Sequence, residues 1–159
     1  MPIRAATADD AAAVIALWTE AYTLRGAEGR ATPYEEREYF DSFGPGRVFV
    51  AEEDGETVGV VVLLPPGTAA WAEPGEAALT RLAVTAAARG RGIGRALAER
   101  CGDEARAAGA PAIALWSRPY QVAAHALYES LGYRRVAARD GSDPDGGRRV
   151  FVLSLGAPR

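Results

Sequence analysis

Residues Leu79–Leu97, LTRLAVTAAARGRGIGRAL, decide how this chain folds. They read as a strand, a short loop crowded with glycine and arginine, and the opening of a helix. Leu79, Leu82 and Val84 are the apolar strand positions, and they do not keep one parity. Side chains on a regular strand alternate between faces, so the odd step from Leu79 to Leu82 leaves two readings open. Either the strand is buried on both sides, or an extra residue near Thr80–Arg81 shifts its phase as a bulge does. The loop that follows is Arg89-Gly90-Arg91-Gly92-Ile93-Gly94-Arg95. Glycines at alternate positions permit positive φ and let a ligand approach the backbone with no Cβ in the way. A helix starting near Gly92 directs its unpaired N–H groups and the positive end of its dipole into that loop, which attracts phosphate. Arg89, Arg91 and Arg95 add cationic reach. A strand-to-helix turn that merely uses glycine and exposes arginine is the plainer alternative.

Two familiar phosphate loops are excluded. The chain contains no lysine, so the Gly-Lys-Ser/Thr of a Walker loop is missing. The spacing G-x-G-x-G also departs from the dinucleotide fingerprint. Arg89, Gly92 and Gly94 instead match Arg/Gln-x-x-Gly-x-Gly/Ala, and in this setting the loop resembles the acyl-coenzyme A loop of the GNAT superfamily of N-acetyltransferases. The resemblance continues in residues 121–136, QVAAHALYESLGYRRV, with the two blocks in the family's order and at its usual separation.

The rest of the composition is compatible with that resemblance. The chain has 159 residues, 48% hydrophobic and 25% charged, which is ordinary for one globular domain. We therefore expect residues 1–159 to form a single domain. A net charge of −3 argues against nucleic acid as a partner, since that requires a basic face. One cysteine and one histidine supply neither an internal disulfide nor a metal-ligand cluster, so no metal is expected. The apolar start of the first helix is short, follows Asp9 and Asp10, and lacks a basic leader, so it is not a signal peptide. No run reaches membrane-spanning length. A cytoplasmic protein without membrane contact is the expectation.

Outward from the central stretch, the elements follow from local signals. Ile3–Ala6 is a candidate strand. Thr7 with Asp10 makes a capping-box start, and Ala11, Val14, Leu17, Trp18, Ala21 and Tyr22 recur at helical spacing. Thr32 as cap, Pro33 at the first helical position and Glu35 and Glu36 in the first turn predict a second helix to about Phe43. Gly44-Pro45-Gly46 ends it. Arg47–Glu52 and Thr57–Leu64 form a hairpin turned at Asp54-Gly55. Pro65–Gly75 is a loop. After the central strand comes a helix with its stripe on Ile93, Leu97, Cys101, Ala105 and Ala108, closed by Gly109. Ala112–Ser117 is a strand, and Gln121–Leu131 a helix stopped by Gly132. Tyr133–Ala138 is a strand, Arg139–Gly147 a turn-rich loop, and Arg148–Leu155 the last strand. The order β-α-α-β-β-β-α-β-α-β-β predicts an α/β (α+β) fold with a mixed, mainly antiparallel sheet flanked by helices. It resembles the GNAT fold over essentially the whole chain.

The resemblance implies roles for individual residues. Backbone groups of Leu82, Ala83 and Val84 would bond the pantetheine arm of acetyl-CoA, and amides from Gly90 through Gly92, Ile93 and Gly94 to Arg95 would hold its diphosphate. Tyr128 stands where the family places a tyrosine near the coenzyme sulfur, able to protonate the departing thiolate. Its alternative is a place at the edge of the Ala124, Leu127, Leu131 stripe. Gln121 replaces an asparagine that the family often has seven residues earlier; it keeps the amide on a longer arm, and a surface role at the helix end competes. His125, one turn before Tyr128 and Glu129, either relays a proton or is a partly exposed histidine paired with its neighbour, the plainer reading. Cys101 lies on the apolar stripe, far from the helix start that would lower a thiol pKa. It reads as core, which favours direct attack by the acceptor over an acyl-cysteine step.

The general base is harder to read. Glu76, just before the central strand, is the candidate, since that position opens on the acceptor cleft; Glu73 with a water chain competes, and surface exposure explains either. Arg81, mid-strand, must find a carboxylate or water if buried; it is either structural or faces substrate. Trp18, Tyr22, Tyr34, Tyr39 and Trp71 lie in segments that form the acceptor wall in this family, though most of them are expected in the core. Glu28, Glu35, Glu36 and Glu38 give that region an acidic lean suited to a cationic amine, or are a solvated helix face.

The resemblance thus implies an N-acetyltransferase that moves an acetyl group from acetyl-CoA to an amine-bearing acceptor, a small molecule by the chain's shortness, through direct attack with both substrates bound. A homodimer through an edge strand is a tendency of the family. The alternatives are an acyl-CoA-binding sensor or interaction module on the same fold, and a phosphate-binding domain that takes ATP or NAD.

Overall fold

The computed structural model describes residues 2–22, 33–41 and 47–156, and its architecture grows from the central hairpin. Strands β2 (Arg47–Glu53) and β3 (Glu56–Leu64) pair antiparallel across Asp54 and Gly55. Both turn residues have positive φ, 53° and 80°, the backbone that a two-residue turn needs to match the strand twist. β1 (Ile3–Ala5) pairs with β2, and β4 (Glu76–Val84) pairs antiparallel with β3. β5 (Ala112–Ser117) then runs parallel to β4, but only from Glu76–Ala78 against Ala112–Ala114. Beyond Ala78 the two strands part. β8 (Gly146–Ser154) follows β5 antiparallel, with the two-residue β6 (Arg134–Arg135) at its outer side. The sheet order is β1-β2-β3-β4-β5-β8-β6, and β7 (Gly141–Asp143) forms a short hairpin with the start of β8. The expected α/β fold with a mainly antiparallel sheet is what forms.

Helices cover both faces. α1 (Ala11–Tyr22) and α2 (Glu36–Asp41) lie on one, burying Val14, Leu17, Trp18 and Tyr39 against Val48, Val50, Val60 and Val62. α3 (Ile93–Ala107) and α4 (Val122–Ser130) lie on the other, burying Ile93, Leu97, Cys101 and Tyr128 against Phe49, Val61 and Leu63. Alternate residues of β2 and β3 thus feed separate cores, as the strand period demands.

The parity question of β4 is resolved by a bulge. Val60 pairs with Ala83 and Val62 with Thr80, so three steps on β4 match two on β3. Arg81 takes the left-handed conformation, φ 52°. That extra residue brings Leu79, Leu82 and Val84 to the same core despite the odd step, and leaves Arg81 and Leu82 without a partner on β3.

Several boundaries differ from expectation. Thr7 and Asp10 form the capping box, but around a single 3-10 turn, Ala8–Asp10, that leads into α1. Pro33 is not the first helical residue: the Glu38 carboxylate accepts the Glu35 N–H at 2.7 Å, so Glu35 acts as the cap and α2 begins at Glu36. The expectations for Glu28, Thr32, Phe43 and Gly44-Pro45-Gly46 fall outside the described residues. Ala108 is exposed at the C-cap of α3 rather than on its buried stripe. Tyr133–Ala138 is strand only at Arg134–Arg135, because the chain turns into a 3-10 helix, Ala137–Arg139, that carries Arg139 towards Glu76. No described helix is long and apolar enough to cross a membrane.

Candidate active site

The parting of β4 from β5 opens a cleft of about 320 Å³. Its β4 wall carries Leu79, Thr80, Arg81 and Leu82; its β5 wall carries Trp116 and Ser117. α4 contributes Ala124 and Tyr128 from one side, and Tyr22 and Tyr34 close the other. The size and mixed lining suit a small organic ligand.

Tyr128 reaches the cleft from a buried position, 7% exposed. Its ring packs 5.8 Å from Tyr133 and 6.2 Å from Phe151. Burial, with a smaller push from nearby Cys101, raises its phenol to about 12, so the group holds its proton at neutral pH. Cys101 is fully buried on α3, and burial pushes its thiol far up. A thiol held protonated is no nucleophile, consistent with its reading as core.

Gln121 lines the same cleft as the residue preceding α4. Its side-chain oxygen accepts from Ser117 Oγ at 2.9 Å and from the Arg118 N–H at 2.7 Å. The glutamine therefore ties the end of β5 to the start of α4. His125 is not paired with Glu129: its Nε2 lies 3.0 Å from the Arg118 carbonyl, so that nitrogen carries the donated proton, and its ring packs on Phe151.

The loop from Arg89 to Arg95 lies beyond the far end of β4 and outside the cleft lining. Gly90 and Gly92 have φ of 79° and 81°, and a Cβ on either would meet nothing within 4 Å. Gly92 immediately precedes α3, and no side chain caps the helix there. The first-turn N–H groups thus face an open approach. The arginines are exposed, each held by a local bond: Arg89 to the Val84 carbonyl at 3.2 Å, Arg91 to Glu53 at 2.7 Å, Arg95 to Ser130 at 2.8 Å. The helix start packs between β4 and α4, since a Cβ on Gly94 would lie 3.7 Å from the Val84 side chain and 3.6 Å from that of Leu127. Ala83 points to the opposite core. Ile93 is buried, so only its backbone faces the loop. The Leu82 carbonyl is already taken by the Tyr22 hydroxyl.

Glu76 requires a correction. It is buried at the closed end of β4, outside the cleft lining, and not open to an acceptor. Both carboxylate oxygens accept from Arg139 at 2.9 Å, and one accepts the Glu73 N–H at 2.9 Å. Burial pushes its carboxyl up, but those hydrogen bonds and the Arg139 charge outweigh it and hold the group below its ordinary value. A depressed, doubly bonded carboxylate is a poor base.

Sequence reasoning missed the cluster on the β5 wall. Arg118 donates to both oxygens of Asp143 at 2.9 and 3.0 Å, and Arg148 reaches the same carboxylate at 2.8 Å. The two guanidiniums flank the Trp116 ring at 4.5 and 4.8 Å. Tyr120 and Asp145 complete that rim. Nothing periodic joins Arg118 to Asp143. The one available signal was a charged, aromatic run, Ser117-Arg118-Pro119-Tyr120, directly following an apolar strand.

Comparison with known proteins gives this geometry its context. A family model described as the acetyltransferase (GNAT) family matches residues 11–133. N-acetylaspartate synthetase of Rattus norvegicus is 39% identical over 97 residues, covering 60% of this chain but only 31% of that protein. The IAA acetyltransferase of Azospirillum brasilense is 40% identical over 87 residues, 55% of this chain and 54% of that one. Among solved structures, the phosphinothricin acetyltransferase of Sinorhizobium meliloti in complex with AcCoA superposes with a TM-score of 0.80 at 20% identity, covering 98% of this chain and 88% of that one. The ribosomal-protein-S18-alanine N-acetyltransferase of Escherichia coli gives 0.75 at 23% identity, covering 98% and 94%. At those identities the structural likeness is one of fold.

Proposed function

The chain belongs to the acetyltransferase (GNAT) family, and we propose that it transfers an acetyl group from acetyl-CoA to the nitrogen of a small amine. The observation that carries this reading is the juxtaposition at the end of β4. A glycine-lined, uncapped helix start lies beside a cleft into which a protonated tyrosine points. The arrangement suits a ligand with a diphosphate at one end and a reactive group at the other.

Acetyl-CoA would supply the acetyl group already activated as a thioester. The amides from Gly90 to Arg95 hold the diphosphate, helped by the positive end of α3. Backbone groups of Leu82, Ala83 and Val84, apart from the carbonyls that Tyr22 and Arg89 already bond, hold the pantetheine arm with the free amide nitrogen of Gln121. A strand N–H near Leu82 steadies the charge that develops on the carbonyl oxygen. Tyr128 donates its hydroxyl proton to the departing sulfur and recovers one from solvent. Nothing in the chain is acylated along the way, because Cys101 is sealed in the core. With Glu76 engaged by Arg139, the acceptor enters as the free amine and loses its proton to water. Holding both substrates in one cleft supplies much of the acceleration.

Calorimetry with acetyl-CoA, followed by thiol release across an amine panel, tests the reading. Binding with turnover is the expected result. Binding without turnover on any amine would instead leave an acyl-CoA-binding module, and binding of ATP or NAD in place of acetyl-CoA would discard the coenzyme assignment.

A further inference from the structure

We propose that Arg81 anchors a carboxylate of the acceptor, so that the acceptor is a free amino acid or a close analogue bearing amine and carboxylate together. The inference rests on the acetyl-transfer reading for its chemistry, but on Arg81 alone for its specificity.

Arg81 is built into the cleft at a cost. Its φ of 52° is a conformation that a long side chain adopts at a penalty of about 1–3 kcal/mol. A bulge re-aims the side chain it carries, and here the guanidinium is directed between two rings. Its carbon lies 5.0 Å from the Trp18 ring and 5.3 Å from that of Tyr34. Trp18 is itself fixed, because its indole N–H donates to the Arg81 carbonyl at 3.1 Å. The cation is therefore oriented before any ligand arrives, and ordering it costs little on binding.

What it lacks is an anion. Among the described residues, no carboxylate lies within ion-pair distance of Arg81, and its side chain makes no hydrogen bond. The other arginine lining the cleft, Arg118, already has a carboxylate partner in Asp143, which it shares with Arg148. On its far side Arg81 also borders a second cavity of about 570 Å³, lined with it by Arg37, Glu38 and Asp41. A half-buried guanidinium with unused donors is unfavourable, and its planar fork matches a carboxylate. The exposed carboxylate of Asp145 is the cleft's opposite charge. One unneutralised cation and one exposed anion make the pattern that a zwitterion complements. A peptide N-terminus, whose neighbouring carbonyl is an uncharged amide, would leave Arg81 unneutralised.

The test offers the standard amino acids, each beside its α-carboxamide and its decarboxylated amine, with acetyl-CoA. For the best-used amino acid, kcat/KM should exceed that of both partners lacking the carboxylate by about tenfold to a hundredfold, the worth of one charge-assisted contact. Arg81→Asn is the variant of choice, since asparagine tolerates the left-handed backbone. It should bring the ratio to about one through the KM of the amino acid, the loss falling on the carboxylate-bearing substrate and not on its decarboxylated amine. Arg81→Lys should give an intermediate ratio, keeping the charge without the fork. Melting temperatures confirm that each variant is folded. Preference for the carboxamide by the unaltered protein, or discrimination that survives in Arg81→Asn, overturns the proposal. If acetyl-CoA binds but no amine turns over, the transfer reading fails by itself. Saturation-transfer NMR of the amino acids against their carboxamides then decides Arg81 separately. Carboxylate-dependent binding lost in Arg81→Asn supports the site, and equal binding overturns it.

Discussion

The indole of Trp18 grips Arg81 at both ends: its N–H bonds the Arg81 carbonyl at 3.1 Å, and its ring faces the Arg81 guanidinium at 5.0 Å. One turn later on α1, Tyr22 donates to the carbonyl of Leu82. The bulge that bends β4 away from β5 is thus held by two side chains from a helix on the opposite face. A strained residue persists only where its surroundings over-determine it, and these bonds supply that determination.

Trp18→Phe tests it. Phenylalanine fills most of the space but cannot donate, leaving the Arg81 carbonyl unpaired in the core beneath a fully buried ring. Urea denaturation should show a loss of about 1–3 kcal/mol, the usual cost of a buried group left without its partner. Any loss of affinity for acetyl-CoA should be confined to the pantetheine segment beside the bulge, because the glycine loop assigned to the diphosphate does not touch Trp18. A variant as stable as the parent would mean that the bulge holds itself.

The two tyrosines at the end of α4 should separate chemistry from packing. Their rings lie 5.8 Å apart, yet only Tyr128 lines the cleft, while the buried hydroxyl of Tyr133 has no hydrogen-bond partner among the described residues. Tyr128→Phe should lower kcat by about 10²–10⁴-fold with little change in acetyl-CoA affinity. Tyr133→Phe removes an unsatisfied polar group and should raise the unfolding free energy by up to about 1–3 kcal/mol, with turnover retained. The reverse pattern would exchange the roles assigned to these residues.

Gly92 should separate backbone strain from ligand contact. With φ of 81° and open space where a Cβ would stand, Gly92→Ala should cost about 1 kcal/mol of stability from conformation alone. Gly92→Glu should cost a similar amount but also set a carboxylate against the diphosphate. Like charges in contact cost several kcal/mol, and each step of about 1.4 kcal/mol is tenfold in affinity. Calorimetry should therefore find acetyl-CoA binding lost in Gly92→Glu and largely kept in Gly92→Ala. Retained tight binding by the glutamate variant would move the diphosphate elsewhere.

What could be read beforehand was local. Asp54-Gly55, the capping box of Thr7 and Asp10, the glycine run before α3 and the place of Tyr128 four residues before Gly132 are short-range patterns, and each stands where its pattern put it. The parity break in Leu79, Leu82 and Val84 was visible too, but choosing the bulge required the register against β3. Contacts between distant residues left no trace. Glu76 and Arg139 are 63 positions apart and Arg118 and Asp143 are 25 apart, so neither pair has a spacing to detect. That is why Glu76 read as an exposed acid. Arg81 shows the same limit, since its rings come from α1 and the segment before α2.

Glu76→Gln carries that correction into the solution. Glutamine fits the site but leaves the Arg139 guanidinium largely buried against a neutral amide, so stability at neutral pH should fall by about 3 kcal/mol. The pH dependence has a definite sign. Bonds from Arg139 hold the Glu76 carboxyl below its ordinary value of 4.5 in the folded protein. The unfolded chain therefore takes up the proton first as pH falls. The stabilisation is complete above pH 4.5 and is lost progressively below it. The parent's unfolding free energy should drop through that acid range, and the glutamine variant's should drop less. If Glu76 served only this structural purpose, kcat at neutral pH would stay within about twofold of the parent, well short of the 10²-fold lost with a working acid or base. A folded Glu76→Gln protein with kcat down a hundredfold would restore the carboxylate as the base and require Arg139 to release it during turnover.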